Sequence, residues 1–455
     1  MLKVMNPATG SLIQELPEDD AASIAAKAAA ARGAQKAWAA RPLAERLAVI
    51  AQFRALVDAK LETLAHILTG EVGKPISQSR GELKGMLSRI DFFLQATPAE
   101  LAEETVHTEA GLSEKIRHEP LGVIANVSAW NYPYFVGSNV FVPALLAGNA
   151  VLYKPSEYAS LTGLAIAGLL HEAGVPEPIF SVVLGGGKAG QLLLDQPLNG
   201  AFFTGSYATG LKIAEAASKR LMKVQLELGG KDPAYVRADA DPKAAAASLA
   251  DGAFYNTGQS CCSVERIYVH AAIYDAFLEA FLAEAKGFVQ GDPRDEKTYL
   301  GAITRPDHLA YLEKQVADAS AKGAKLLMGG HRLPGPGSYF EATVFSNVNH
   351  TMELMREETF GPLIGIQKVG SDKEAIELMN DTPYGLTAGV YTKDQAQAEA
   401  ILSQVNAGSA YWNCCDRVSP RLPWSGRGHS GMGCVLSHYG IKTFTQPKAW
   451  HLRSA

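Results

Sequence analysis

The sequence predicts an α/β protein in which a mostly parallel sheet carries helices on both faces and a second α/β unit follows it. Between residues 121 and 206, short apolar runs alternate with helical stretches closed by Gly or Pro, and the alternation resumes beyond Glu227-Leu-Gly-Gly. Length is a further observation, because 455 residues exceed what one hydrophobic core serves. A boundary is therefore expected near residue 230.

The first hundred residues read as helices. Residues 21–40 are Ala-rich and open after Asp19 and Asp20, whose carboxylates suit a helix start. Leu47, Ile50, Phe53, Leu56 and Val57 recur at helical spacing and give one apolar face. Residues 123–128 read as a buried strand, and a helix leads from it to a second strand at 150–153. A helix at 161–172 stops at Gly174 and Pro176. Strands are expected at 180–184 and 201–203. Further on, helices near 244–255 and 274–288 separate strands near Ile267 and Leu326. Residues 329–337 read as a surface loop or hairpin tip. Residues 440–446 alternate like a strand, an edge suited to pairing with a neighbour.

Composition narrows the function. With 47% hydrophobic and 20% charged residues the chain is an ordinary globular protein. A net charge of −5 and no basic stripe give no reason to expect nucleic acid. The N-terminus lacks the apolar run of a secretory signal. The most apolar window, 140–153, contains Pro143 and Gly148 and is too short to span a bilayer, so no membrane partner is expected. Five cysteines, two pairs of them adjacent and none in a CxxC spacing, make a disulfide framework or a zinc site poor readings. No metal is expected, and the chain reads as a cytoplasmic protein with free thiols.

Four local signals carry chemistry. Asn256-Thr-Gly-Gln-Ser-Cys-Cys presents two thiols after a glycine. Such a cysteine attacks as the thiolate, although an adjacent pair is more often buried core. In Glu227-Leu-Gly-Gly-Lys a carboxylate beside two glycines suits a general base close to backbone, or is a solvated strand end. Asn131, in Ala129-Trp-Asn-Tyr-Pro, offers an amide to an oxyanion or caps the next helix. Lys154-Pro-Ser-Glu157, Gly185-Gly-Gly187 and Phe203-Thr-Gly-Ser206 follow strands, where nucleotides dock in parallel sheets, although no GxGxxG fingerprint is present.

Taken together and in this order, these runs resemble the aldehyde dehydrogenase superfamily. Glu358-Thr-Phe-Gly-Pro362, Asn380 and Tyr384-Gly-Leu386 extend the match from Asn6 to the final residues. The resemblance implies an NAD(P)-dependent, hydrolytic aldehyde dehydrogenase. Its expected fold is a Rossmann-type cofactor domain (1–101 and 121–230), an α/β catalytic domain (231–440) and a small β oligomerisation element (102–120 and 441–455). It implies Cys261 as nucleophile, Asn131 with the Cys261 N–H as oxyanion hole, and Glu227 as general base. Trp130, Lys154, Glu157, Gly205, Ser206, Glu358 and Phe360 are the implied cofactor contacts, and a homodimer or homotetramer is expected. A cysteine acyltransferase is the rival, but it leaves Lys154, Glu157 and Glu358 without a task.

If Glu157 accepts from ribose hydroxyls, its charge repels a 2′-phosphate, so NAD is expected, with NADP as the alternative. The loop 413–424 matches the family's substrate entrance. Tyr132, Asp416, Arg417 and Trp424 are its pocket candidates. An inward arginine there would favour a small semialdehyde with a remote carboxylate, whereas Asp416 or Trp424 would favour an amino-aldehyde. One departure stands out. Members often carry a Lys and a Glu where this chain has Val140 and Val435, so the proton relay proposed for that pair is missing as a unit.

Overall fold

The computed structural model describes residues 1–454. A six-stranded sheet gathers the first α/β region. Its order is Gly431–Met432, Lys223–Glu227, Gly200–Thr204, Val123–Val127, Ala150–Lys154 and Phe180–Val182, all parallel except the first strand. These strands are apolar because helices cover both faces; the run Ala150–Lys154, for example, is wholly buried. A seven-stranded sheet follows, with Val264–His270, Asp232–Val236 and Thr387–Tyr391 adjacent within it. It is parallel except where Lys325–Met328 pairs with Thr343–Ser346. Both sheets belong to the mixed α/β class read from the sequence.

The helical expectations hold closely where capping chemistry was visible. Asp20 caps the helix Ala21–Ala40, its carboxylate accepting from the Ser23 N–H at 2.8 Å. Two expectations need correction. The first hundred residues are not all helical, because Leu2–Met5 and Leu12–Leu16 form an antiparallel hairpin around Asn6-Pro-Ala-Thr-Gly. The carbonyl of Asn6 accepts from Gly10, whose φ of 70° makes the turn. The alternation at 440–446 misleads as well: Ser437–Thr443 is a helix, and the strand begins at Thr445. Ile441 and Phe444, three apart, both bury, which is helical spacing. Of the two readings of Asn131, the helix cap is the one that the structure removes. That helix, Pro133–Leu146, starts with proline after Tyr132 and has no side-chain cap.

The strand Thr445–Arg453 pairs along its whole length with Leu112–Pro120, which pairs in turn with Glu104–Glu109. This three-stranded sheet has two free edges, and all six residues of Glu104–Glu109 are exposed. Ala455, the last residue of the segment expected there, lies outside the described residues. Among those described, no helix is long and apolar enough to cross a membrane.

Candidate active site

Cys261 stands on a turn held in unfavourable backbone. After the helix Pro242–Phe254, Asn256, Thr257 and Gly258 adopt three successive left-handed conformations, φ 52°, 57° and 71°. Each costs Asn or Thr of order 1 kcal/mol or more and persists only where the surroundings over-determine it. Here buried side chains do so. Asn256 Nδ2 donates to the Gln259 carbonyl at 3.0 Å and to the Asn131 carbonyl at 3.3 Å. Gln259 Nε2 reaches the Ala302 carbonyl at 3.2 Å, and its Oε1 accepts from the Thr304 N–H at 2.9 Å. Gly258 has no room for a side chain, since a Cβ would lie 2.2 Å from the Gly361 oxygen. The Asn131 amide joins the same turn, donating to the Gln259 carbonyl at 3.2 Å. Its second hydrogen is left for the cavity that Asn131 and Cys261 both line.

The strand Lys223–Glu227 delivers Glu227 to the carboxyl end of the first sheet. There the two glycines explain themselves. A Cβ on Gly229 would fall 2.2 Å from a Glu358 carboxylate oxygen, and one on Gly230 would fall 2.5 Å from the Cys261 carbonyl. Only glycine lets this segment pass between the Cys261 turn and Glu358. The Gly230 N–H donates to Glu358 at 3.0 Å. Glu358 is pushed up to about 8 by burial, with the neighbouring charge of Glu265 adding to it. Glu265 forms a buried ion pair with Lys231 at 2.5 Å and accepts from the N–H groups of Thr359 and Phe360, each within 3.0 Å. It thereby holds Phe360 at φ 49°. Glu227 itself is buried. Gln225 Nε2 donates to one of its oxygens at 2.6 Å, and the other oxygen has no partner in the protein. Burial pushes its carboxyl well above the ordinary range.

One cavity of about 650 Å³ receives these groups. Cys261, Asn131, Glu227, Glu358 and Phe360 line it, with Trp130 set edge-on to Phe360 at 5.4 Å. Lys154, Glu157, Gly205 and Ser206 line the same space. The residues present fit a dinucleotide. The Lys154 ammonium is buried, its pKa lowered by that burial, and it has only the Pro155 carbonyl at 3.0 Å as acceptor. Its remaining hydrogens are available to ribose oxygens beside Glu157. Ser206 precedes the helix Tyr207–Ser218, whose N-terminal N–H groups suit a pyrophosphate.

The four pocket candidates do not line this cavity and scatter. Tyr132 stacks on Phe135 with centroids 5.7 Å apart and an interplanar angle of 6°. Lys74 Nζ lies 3.7 Å from the Tyr132 ring centroid, and the Arg89 guanidinium 3.8 Å from that of Phe135. The result is a cation–ring–ring–cation stack. Asp416 accepts from the thiol of Cys262, the residue after Cys261, at 2.9 Å. Arg417 is exposed and bonds only the Asp416 carbonyl, and Arg421 is exposed too, so neither is the inward arginine expected of this loop. Trp424 is buried beside Glu227 and pairs its backbone with Val435 at 2.8 and 3.0 Å. Sequence reading missed Lys74, Glu82, Arg89, Gln225 and Glu265. The signal for two of them was charge on a helix face: Glu82 and Arg89 share the helix Ile76–Glu100 with the buried Leu83, Met86, Ile90 and Phe93. Lys74, in the turn before that helix, pairs with Glu82.

The sequence model of the aldehyde dehydrogenase family matches residues 1–450. The chain is 34% identical to a betaine aldehyde dehydrogenase of Cereibacter sphaeroides over 98% of its own length and 93% of that protein's. It is 35% identical to a 3,6-anhydro-α-L-galactose dehydrogenase of Streptomyces coelicolor, covering all of this chain and 93% of the relative. The crystal structure of an NAD-dependent aldehyde dehydrogenase from Sinorhizobium meliloti superposes with a TM-score of 0.96 at 35% identity, over 99% of this chain and 91% of that one. Sequence, fold and cavity agree: the chain belongs to the aldehyde dehydrogenase family and is an NAD(P)-dependent oxidoreductase.

Proposed function

We propose that the chain oxidises an aldehyde to its carboxylic acid through a thioester on Cys261, with Asn131 as an oxyanion donor and Glu227 as the base that activates water. The supporting observation is that one cavity is lined by thiol, amide and carboxylate together with Lys154, Glu157, Glu358 and Phe360. The Cys261 sulfur adds to the aldehyde carbon, and the Asn131 amide with the Cys261 N–H takes the developing oxygen charge. The bound dinucleotide, NAD in preference to NADP on the charge of Glu157, supplies the hydride acceptor. Water then attacks the thioester carbon as Glu227 takes its proton. Lys154 and Glu157 hold the adenosine ribose, while Glu358 and Phe360 fix the ring end. Rapid mixing with aldehyde and NAD tests the assignments. Cys261→Ala loses turnover by roughly 10⁴-fold or more while dinucleotide binding stays within about twofold. Glu227→Gln gives a burst of NADH followed by a slow steady rate; unchanged steady turnover overturns the base assignment.

The substrate reading is a small semialdehyde with a remote carboxylate. Arg89 favours it over an amino-aldehyde: the side chain is buried, its Nε has no partner, and its one hydrogen bond is to the Gly85 carbonyl. Asp416, the anchor for a cation, is already engaged by the Cys262 thiol. The division into cofactor, catalytic and oligomerisation units is part of the same reading. The free edges of the three-stranded sheet are the surface that builds the dimer or tetramer.

A further inference from the structure

We propose that Gln225 positions and polarises Glu227 in place of a charged proton relay: its buried amide donates to one carboxylate oxygen at 2.6 Å and leaves the other oxygen, which has no protein partner, to take the proton of the hydrolytic water. This rests on Glu227 being the base. Gln225 and Glu227 are alternate residues of one strand, so their side chains leave the same face and meet without any loop to hold them. Both are buried, Gln225 to 1% and Glu227 to 5% exposure. Val140 and Val435, at 3% and 1%, sit in one apolar cluster and supply no charge.

Of the groups around Glu227, Gln225 is the one whose hydrogen bond to the carboxylate has good geometry, at 2.6 Å. On the neighbouring elements stand the Trp424 indole, the Cys434 thiol, Cys261 and Glu358. Cys434 is pushed up to about 11, by burial first and then by the Glu227 charge, so it stays neutral where the enzyme works. Glu358 carries no positive charge, and the strand Gly431–Met432 that pairs with Leu226 and Glu227 adds no charge either. No cation stabilises the Glu227 carboxylate. The amide and the indole are the only groups that lower its pKa against burial.

In the step itself, the water oxygen bonds to the thioester carbon and its proton moves to the free Glu227 oxygen. The C–S bond breaks, and its electron pair returns to Cys261 as thiolate. The proton then leaves Glu227 for solvent through the cavity. Without the amide, the carboxylate loses a hydrogen bond to its charged form, and its pKa rises. Because the base acts when deprotonated, the limb on which deacylation climbs with pH moves to higher pH.

The test is Gln225→Leu, with Gln225→Glu as a second variant of near-native shape, measured by pre-steady-state and steady-state NADH formation across pH. Expected for Gln225→Leu are an unchanged burst amplitude and an alkaline shift of the steady-state limb by roughly one to two pH units. Hydroxylamine, which attacks the thioester without needing its proton removed by Glu227, restores the rate. Gln225→Glu, which sets two carboxylates together, shifts the limb at least as far. A lowered rate with an unmoved limb, or no rescue by hydroxylamine, makes Gln225 merely structural and overturns the proposal. So does an unchanged enzyme. Glu227→Gln run alongside separates the two readings: if it hydrolyses its thioester normally, the base assignment fails, whatever Gln225 does.

Discussion

The two sides of Cys261 are built differently. Toward the dinucleotide lies an open cavity of about 650 Å³, lined by residues at strand ends and in the turns after them. Toward the loop at 413–424 lies a packed cluster in which the buried Lys74, Glu82 and Arg89 and the half-buried Asp416 gather around Tyr132, Phe135 and Tyr255. The first side has room and local geometry. The second has interlocked charges. The cavity side is built from backbone turns that a short motif can encode, whereas the packed cluster is assembled from helix Ile76–Glu100, the start of helix Pro133–Leu146, the Cys261 turn and a distant loop.

Three experiments break or sharpen this contrast. Asn131 belongs to both sides, since its amide is tied to the nucleophile turn. Asn131→Ala lowers kcat by about 10²–10³-fold with every aldehyde, the loss of one oxyanion donor. A loss confined to one substrate class would move Asn131 to the specificity side. On the proposed reading, Arg89 serves the substrate side alone. Arg89→Met lowers kcat/KM for a carboxylated aldehyde by roughly 10–100-fold, as expected for a lost charge-assisted hydrogen bond, and leaves a plain aliphatic aldehyde and the KM for NAD unchanged. A uniform loss across the aldehyde panel would show that Arg89 only packs Phe135. Glu358 belongs to the cofactor side and gives the smallest effect. Its carboxyl sits at about 8, so it is mostly protonated below that pH and Gln is then a close substitute. Glu358→Gln therefore changes the KM for NAD by no more than about threefold at pH 7, and diverges from wild type as pH rises through 8 and the native carboxyl ionises. A divergence toward acid pH would contradict the burial argument.

Much of this was legible before any coordinates. The parallel strands announce themselves because burial on both faces forces continuous apolar runs, and Asp20 marks its helix start by simple capping chemistry. The cofactor and catalytic candidates are readable because each sits in a short run whose glycines have local work to do. Gly229 and Gly230 show this, one clearing Glu358 and the other the Cys261 carbonyl. The hairpin at Leu2–Met5 and Leu12–Leu16 was not legible, since short half-exposed strands carry little periodic signal. Residues 440–446 were misread because seven residues fit both periods until the burial of Ile441 and Phe444 decides.

By itself the sequence determined the α/β class, the family, and which thiol, carboxylate and amide to look for, because these depend on periodicity and on motifs only a few residues long. Only the tertiary structure decided that Arg89 lays its guanidinium over Phe135 with its Nε unpaired, that Asp416 is held by Cys262, and that Gln225 is the hydrogen-bond partner of Glu227. Burial and pairing are properties of surroundings contributed by residues far apart in the chain. A charged or amide side chain has the same chemistry in the sequence whether it ends in water or in the core.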